Sequence, residues 1–248
     1  MKILICVSRV PDTTARISIE EDGKTISETG VKYIVNPYDE FALETGIRLK
    51  EQHGGECIAV TVGIEKSQDV LRTSLAMGCD NAILVKGSEN QDSFSVAENI
   101  VAVARDVSPD IIVLGRQSID FDSMQMQSLL GAMLDMPSVS VASSLDVDGD
   151  WATCLCDIEG GKETVKTPLP CIISTQKGIY EPRYPKLPQI MKAKKKPLEV
   201  RDSVSTGNRT EVLSMEIPKT SRVGKILSDS DSDIAEIVRS LAEDAKVI

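Results

Sequence analysis

The order of apolar and polar stretches over residues 1–136 predicts alternating strands and helices. A continuous apolar run at residues 2–8 is typical of a strand that is buried on both faces. Further apolar runs then alternate with amphipathic stretches. Strands are predicted at 2–8, 57–62, 81–85 and 110–114, and helices at 37–53, 68–77, 95–105 and 125–134. The alternation indicates a doubly wound α/β fold, in which a mostly parallel sheet carries helices on both faces.

The pattern changes after Pro137. Strand-like runs follow without helices between them, and Gly-containing turns separate the first three. These runs lie at 139–147, 151–158, 163–166 and 171–175. Consecutive strands joined by short turns pair antiparallel. We therefore expect an antiparallel extension of the same sheet and not a second domain.

Three segments lie outside this alternation. Residues 15–28 contain two alternating isoleucines and a polar turn, which predicts a hairpin inserted after the first strand. Residues 180–196 are rich in proline and lysine, and the chain after about residue 200 is polar, with one amphipathic helix at 232–245. A long polar segment with one short helix is a poor core element. We therefore predict a nucleotide-binding α/β domain at 1–198 and a C-terminal arm at 199–248 that wraps a partner.

Charge and composition exclude several classes of function. The 38 acidic residues outnumber the 28 basic ones, and the resulting charge of −10 disfavours nucleic-acid binding, which needs a positive field. No apolar run approaches the roughly 18–20 residues of a membrane span, and the first residues do not resemble a signal peptide. The six cysteines form no CxxC pair, and His53 is the one histidine. We expect a cytoplasmic protein with free, buried cysteines and no zinc site.

The candidate binding site lies where the strand order of the predicted sheet reverses. Ligands of open doubly wound sheets bind there, at the carboxyl ends of the strands. With the first strand central, the candidate loops are residues 7–13 and 115–125, beside Gly63. The second loop contains Arg116 and opens a helix, whose N–H groups and positive dipole end favour a phosphate. An ordinary capped loop with Arg116 in solvent fits the same residues equally well.

Motifs of self-sufficient enzymes are not found. The sequence contains no GxGxxG after the first strand, no GxxxxGK[ST] and no GxSxG. The lone His53 lies at a helix end, and the carboxylate pair Asp39-Glu40 fits the first turn of a helix. We therefore expect a binding protein without catalytic residues.

A Pro-rich segment at 181–191 is a candidate docking site. It combines three prolines with apolar side chains and continues into a lysine cluster at 192–196. Prolines stiffen a loop and lower the cost of ordering it on docking, and lysines attract an acidic partner. The predicted contact residues are Tyr184, Leu187, Ile190 and Met191. A rigid surface connector is the alternative.

Several motifs together resemble the beta subunits of electron transfer flavoproteins. The resemblance covers residues 1–200 nearly continuously. Its motifs lie at residues 31–44, 71–80, 115–120, 159–164 and 181–196. The resemblance implies a heterodimer whose alpha subunit holds the redox-active FAD, while this chain binds AMP. It also implies an acyl-CoA dehydrogenase or a similar dehydrogenase as the electron donor, and a quinone reductase as the acceptor.

The resemblance also assigns site residues by position. Leu187 becomes the anchor of a recognition loop, and Asp157 and Thr13 lie near the flavin of the alpha subunit. The implied nucleotide contacts are Cys6, Asn36, Val62, Arg116, Gln117, Ser118, Ile119, Asp120, Ser123, Met124, Gln125 and Met126.

One motif departs from the family. Many members have Asn-Gln-Thr-Gly where this chain has Met124-Gln125-Met126-Gln127, so a phosphate would rely on backbone N–H groups, Arg116 and Ser123. We expect AMP in preference to FAD or an empty site. Two alternatives remain. Electron-bifurcating relatives bind a second FAD and oxidise NADH, and Val10-Pro11-Asp12-Thr13 is similar to them. Adenine-nucleotide-binding stress proteins carry a Gly-x₂-Gly-x₉-Gly-Ser/Thr loop that is not found here.

Overall fold

A computed structural model describes residues 1–88, 90–218 and 224–248 of the chain. The described residues form two compact units, residues 1–215 and residues 216–248. The strands of the first unit are β1 (Lys2–Cys6), β2 (Arg9–Pro11), β3 (Tyr33–Val35), β4 (Glu56–Gly63), β5 (Asn81–Lys86), β6 (Ile111–Gly115), β7 (Ser138–Asp148), β8 (Trp151–Ile158), β9 (Gly161–Pro168), β10 (Cys171–Thr175) and β11 (Leu198–Asp202). Its helices are α1 (Pro37–His53), α2 (Gln68–Met77), α3 (Ser93–Val107), α4 (Met126–Leu134) and α5 (Leu187–Ala193).

The main sheet has the predicted doubly wound topology. Its order is β11-β5-β4-β1-β6-β10-β7-β8-β9 in the described part of the chain. Strand β1 pairs in parallel with β4 on one side and with β6 on the other. Strands β4 and β5 therefore follow β1 on one side of it, and β6 lies on the other side. The strand order reverses between β1 and β6, and we call this place the switch point. The fold class and the place of the switch point are confirmed.

Two apolar cores flank the sheet. The side chains of α1 and α2 pack on one face, and those of α3 and α4 pack on the other. Helix α1 begins at Pro37, which suits the first helical position, and ends at His53, just before Gly54, whose φ of 71° favours a residue without a Cβ. It approaches β1 so closely that a Cβ on Gly46 would lie 2.4 Å from Ile5 Cδ1. The absence of a side chain at Gly46 therefore lets the middle of α1 pack directly on β1.

The predicted antiparallel extension is wrong in its last strand. Strands β7, β8 and β9 do pair antiparallel. Strand β10, however, lies between β6 and β7 and pairs in parallel with both. All five residues of β10 are buried, which is characteristic of an interior strand of a parallel sheet.

Two segments outside the predicted alternation differ from the expectation. The predicted hairpin at 15–28 has one bridge, between Ile19 and Ile26, and the regular pair nearby is β2 with β3. Strand β11 pairs in parallel with β5, so the sheet takes in residues at the start of the predicted arm. The boundary at 198 stays a prediction. All six cysteines are buried and free.

The second unit contains α6 (Asp231–Arg239) and one π-helical turn at Ser240–Asp244. The side chain of Ser230 caps α6 by accepting a hydrogen bond from the N–H of Asp233. The apolar side chains of this segment, Ile234, Ile237, Val238 and Leu241, are 39–53% exposed. Across the described residues, no helix is long and apolar enough to cross a membrane.

Candidate functional site

A cavity of about 350 Å³ opens at the carboxyl ends of β5, β4, β1 and β6. It lies at the switch point, where the topology of the sheet leaves a crevice between loops that turn in opposite directions. Cys6 and Val62 form part of its floor, the loop after β6 forms one wall, and Ser88 and Gln91 belong to the opposite wall.

Most of the predicted nucleotide residues line this cavity. They are Cys6, Val62, Arg116, Gln117, Ser118, Asp120, Ser123, Met124, Gln125 and Met126. The other two predicted residues, Asn36 and Ile119, do not line the cavity. They take part in hydrogen bonds that hold the loop after β6 in place. The amide of Asn36 donates to the carbonyl oxygen of Gln117 (2.9 Å) and accepts from the N–H of Ile119 (3.2 Å). Asn36 therefore attaches the loop to the start of α1.

A buried carboxylate in the cavity lining, Asp39, joins three elements, although its place in the sequence indicated only the first turn of a helix. Asp39 Oδ2 accepts from the N–H of Ser8 (2.8 Å), and its Oδ1 accepts from the N–H of Gly115 (3.0 Å). Burial raises the pKa of Asp39 to about 7, although these hydrogen bonds oppose the shift. Burial also raises the pKa of the neighbouring Cys6 thiol. Asp39 thereby ties the ends of β1 and β6 to α1.

The guanidinium of Arg116 forms side-chain hydrogen bonds with uncharged amides. Its Nε donates to Gln117 Oε1 (2.7 Å) and its Nη1 donates to Gln176 Oε1 (2.6 Å). The guanidinium also lies 5.3 Å from the ring centre of Tyr38. Arg9, which lines the same cavity, pairs instead with the carboxylates of Glu28 and Asp69. Arg116 forms no ion pair with any residue that the structure describes, so its charge is available to an anion.

The loop between β6 and α4 has a strained backbone next to the cavity. Asp122 and Met124 have φ values of 53° and 52°, in the left-handed region that few L residues adopt. Helix α4 then begins without a side-chain cap, so its first N–H groups remain free to receive acceptors. Together with Arg116, these donors suit a phosphate group.

Two distant segments close the cavity on its outer side. Thr25, Ile26 and Glu28 from the 15–28 insertion line it, and so does Met215. The N–H of Met215 donates to the carbonyl oxygen of Gly23 (2.7 Å), which joins the two segments. No local pattern in the sequence indicates this contact, because the partners are far apart along the chain.

The predicted docking residues form an exposed apolar patch. The exposed fractions are 85% for Tyr184, 72% for Leu187, 41% for Ile190 and 56% for Met191. We call the surface formed by these four residues the docking surface. Leu187 is the first residue of α5.

Helix α2 supports the docking surface from below. Arg72 Nη1 donates to the carbonyl oxygens of Ala193 and Lys196, both at 2.9 Å. Lys196 Nζ donates to the carbonyl oxygens of Leu75 (3.0 Å) and Cys79 (2.5 Å) at the end of α2. Lys196 therefore has a structural role, whereas the other lysines of the cluster are exposed.

The two residues predicted near the alpha-subunit flavin lie outside the cavity. Asp157 is exposed near the end of β8 and accepts from Gln176 Nε2 (2.9 Å). Since Gln176 Oε1 accepts from Arg116, the Gln176 side chain bridges the cavity to Asp157. Thr13 is exposed in a turn after β2, which Asp12 stabilises by accepting from the N–H of Thr14 (2.9 Å).

Comparisons with known proteins point to one family. A family model described as "Electron transfer flavoprotein domain" matches residues 23–205. The chain is 39% identical to electron transfer flavoprotein subunit beta of Bacillus subtilis (strain 168) over 259 aligned residues, which cover 100% of both chains. It is 37% identical to the subunit of that name from Bradyrhizobium diazoefficiens, over 100% of both chains. The subunit beta of Mus musculus is 33% identical over 96% of each chain.

Proposed function

This chain belongs to the electron transfer flavoprotein family, among the beta subunits, and we propose that its cavity holds AMP while its docking surface binds a partner dehydrogenase. Arg116, whose guanidinium donates to two neutral amides and lines the same cavity as the uncapped start of α4, is the observation that supports an anionic nucleotide most directly. The redox-active FAD would be held mainly by an alpha subunit, and this chain would contribute no catalytic residue. When bound, that FAD supplies the electron transfer chemistry.

The cavity suits a mononucleotide better than a dinucleotide. Its volume of about 350 Å³ is near the lower end of the range of small-molecule sites, about 300–1,000 Å³. The phosphate would be placed at the N-terminus of α4 beside Arg116, where N–H donors and positive charge meet. AMP would then stabilise the fold by mass action, since it binds only the folded state.

Other surfaces of this chain would contact the alpha subunit, through which electrons pass from the donor to the acceptor. In the second unit, Ile234, Ile237 and Val238 expose apolar side chains, and we assign this segment to the arm that wraps the alpha subunit. Asp157 and Thr13 would face the flavin domain of that subunit. An acyl-CoA dehydrogenase or a similar dehydrogenase would donate electrons, and a quinone reductase would accept them from the alpha-subunit FAD.

The nucleotide content of the purified heterodimer tests the cavity assignment. We expect denaturation to release one AMP and one FAD per heterodimer, because each subunit holds one nucleotide. Separation of the released nucleotides by chromatography and their identification by mass spectrometry measure this directly. Two FAD molecules without AMP would favour the bifurcating alternative and exclude the AMP proposal.

The charge of Arg116 can be tested through its neutral neighbour. The Gln176→Glu substitution places a carboxylate on Arg116 and beside Asp157. We expect it to weaken AMP binding at least about tenfold, because a charged hydrogen bond would then compete for the guanidinium. Adenosine, which has no phosphate, should bind equally well to both proteins.

Titration with AMP and with adenosine measures the ratio of the dissociation constants of variant and wild type for each ligand. Gln52→Glu, at an exposed position on α1, controls for added charge. A parallel loss of both ligands would contradict the assignment.

The docking role is tested by truncating its most prominent aliphatic side chain. Leu187→Ala should lower the second-order rate constant for reduction by an acyl-CoA dehydrogenase about tenfold, as expected of a central apolar anchor. The AMP content should not change, because Leu187 does not line the cavity, and the FAD content should not change, because the alpha subunit would hold that FAD. Stopped-flow reduction at several donor concentrations measures the constant. Ile158→Ala, which truncates an exposed side chain on β8, is the control. Equal rates for wild type and Leu187→Ala would remove the docking role.

A further inference from the structure

The docking surface is carried by a segment with little structure of its own. Residues 180–186 form neither helix nor strand, and they lead directly into Leu187 at the start of α5. The hydrogen bonds from Arg72 of α2 are made to Ala193 and Lys196, at and after the C-terminal end of α5. The near end, which carries Tyr184, needs a separate attachment if the four apolar side chains are to keep one arrangement.

Arg183 provides that attachment through two carboxylates of α1. Its Nε and Nη2 donate to the two oxygens of Glu44 at 2.8 and 3.0 Å. Its Nη1 and Nη2 donate to the two oxygens of Glu51 at 2.6 and 3.0 Å. The backbone N–H of Arg183 also donates to Glu44 Oε2 at 3.1 Å. The main chain and the side chain of one residue are thus both fixed to the same helix.

The Glu44 carboxylate is unusual because it is buried. Its side chain is 1% exposed, whereas that of Glu51 is 53% exposed. Arg48, one turn further along α1, donates to Glu44 Oε1 at 2.7 Å. The hydrogen bonds from Arg183 and Arg48 lower the pKa of Glu44 in spite of its burial. A buried carboxylate with bidentate arginine contacts holds its partner in one geometry more strictly than an exposed pair does.

Helix α1 is a rigid base for this attachment. Ala42, Leu43 and Ile47 on its inner face are at most 1% exposed and belong to the core on that side of the sheet. The position of Arg183 is therefore set by the core of the first unit and not by the surface segment itself.

We propose that Arg183 is a positioning residue, which orders the segment that carries Tyr184 and Leu187 before the partner dehydrogenase binds. This inference rests on the proposed docking function. An ordered surface loses less conformational entropy on binding than a mobile one, and side chains held by supporting contacts keep their productive geometry. Loss of Arg183 should therefore weaken docking without changing electron transfer within the docked complex.

The experiment compares Arg183→Ala, Arg183→Lys and Glu51→Gln in the assembled heterodimer. An acyl-CoA dehydrogenase reduced by its acyl-CoA substrate serves as the probe. For Arg183→Ala we expect the half-saturating concentration of the dehydrogenase to rise about tenfold, while the limiting rate at saturation stays unchanged. Amide hydrogen exchange across residues 184–191 should become faster in the free heterodimer. Arg183→Lys, which keeps the charge but loses the fork, should give an intermediate effect, because lysine cannot bind two carboxylates in this way.

Controls separate positioning from general destabilisation. Arg201 also pairs with two carboxylates, Glu199 and Asp106, but on strand β11. Arg201→Ala should leave both the half-saturating concentration and the exchange at 184–191 unchanged. Glu51→Gln removes only the exposed half of the cluster, so it tests the proposal even if Arg183→Ala fails to fold. We expect a two- to threefold effect, about that of one exposed ion pair.

The outcomes distinguish this inference from the docking proposal. If Leu187→Ala slows reduction while Arg183→Ala, Arg183→Lys and Glu51→Gln all leave it unchanged, docking stands and the positioning role is overturned. If Leu187→Ala has no effect, the docking proposal fails and the positioning role fails with it. A change in the limiting rate without a change in half-saturation would also overturn the positioning role, because it would place Arg183 in a step after docking.

Discussion

Replacement of Gly115 by alanine is expected to lower the free energy of unfolding by about 3 kcal/mol and to abolish AMP retention. A Cβ at this position would lie 2.4 Å from Asp39 Oδ1 and 2.7 Å from the backbone carbonyl carbon of Tyr38. The second contact is the more serious, because a backbone atom of the packed helix α1 cannot rotate away as a side chain does. The shift would also break the hydrogen bond from the Gly115 N–H to Asp39.

Urea unfolding of the wild type and the variant measures this loss of stability, and nucleotide release measures AMP retention. Gly161→Ala is the matched control, since a Cβ at Gly161 would meet no atom within 4 Å. We expect the control to unfold within about 0.5 kcal/mol of the wild type. If Gly115→Ala unfolded at the same urea concentration as the control, the close approach between α1 and β6 would not constrain the switch point.

The elements that the sequence predicted well are those set by local pattern. The helix predicted at 68–77 is α2 with the same bounds, because apolar residues at helical spacing end there at Gly78. The stop at Gly54 is equally local, since its positive φ is a property of one residue. Strands β4 to β6 were also predicted within a few residues, as short apolar runs between these helices.

Strand order was harder, because it depends on contacts far apart in the chain. Residues 171–175 have the composition of a buried strand, but no local pattern predicts that they insert between β6 and β7. The short β11 reads as part of a polar tail until its pairing with β5 is seen. For β10 the favourable term is burial against a surface that the rest of the fold creates, whereas β11 has no buried residue and gains backbone pairing with the edge of β5.

In the candidate site, too, the residues set by local pattern were predicted, and those that depend on distant contacts were not. The loop at 116–126 followed from the switch-point rule and from the family resemblance, and it does line the cavity. Three other contributors did not follow. Asp39 was interpreted as a first-turn carboxylate, Gln176 belonged to no motif, and Met215 lay in the predicted arm. Each acts through a partner at least 31 residues away, such as Ser8 for Asp39 and Arg116 for Gln176.

The buried Asp39 carboxyl leads to the second large expected effect, a fall in stability as the pH rises from 5 to 7. Its folded pKa is raised to about 7 from an ordinary 3.8. In this window the unfolded chain has lost the proton while the folded chain still holds it. The folded state therefore binds more protons, and the free energy of unfolding falls by up to about 1.4 kcal/mol per pH unit. The contribution is complete below pH 3.8 and is lost as the pH rises through 7.

The Asp39→Asn variant isolates this contribution, because asparagine has a similar shape and does not titrate. Urea unfolding of both proteins at pH 5, 6, 7 and 8 gives their difference in stability, which should move in favour of the variant up to pH 7 and then level off. Asp12→Asn is the control. Hydrogen bonds from Thr14 lower the pKa of Asp12, so its stabilising effect is lost only as the pH falls below the ordinary value, and its difference curve should be flat from pH 5 to 8. A flat curve for Asp39→Asn as well would mean that the N–H groups of Ser8 and Gly115 outweigh burial and keep the carboxylate ionised at the switch point.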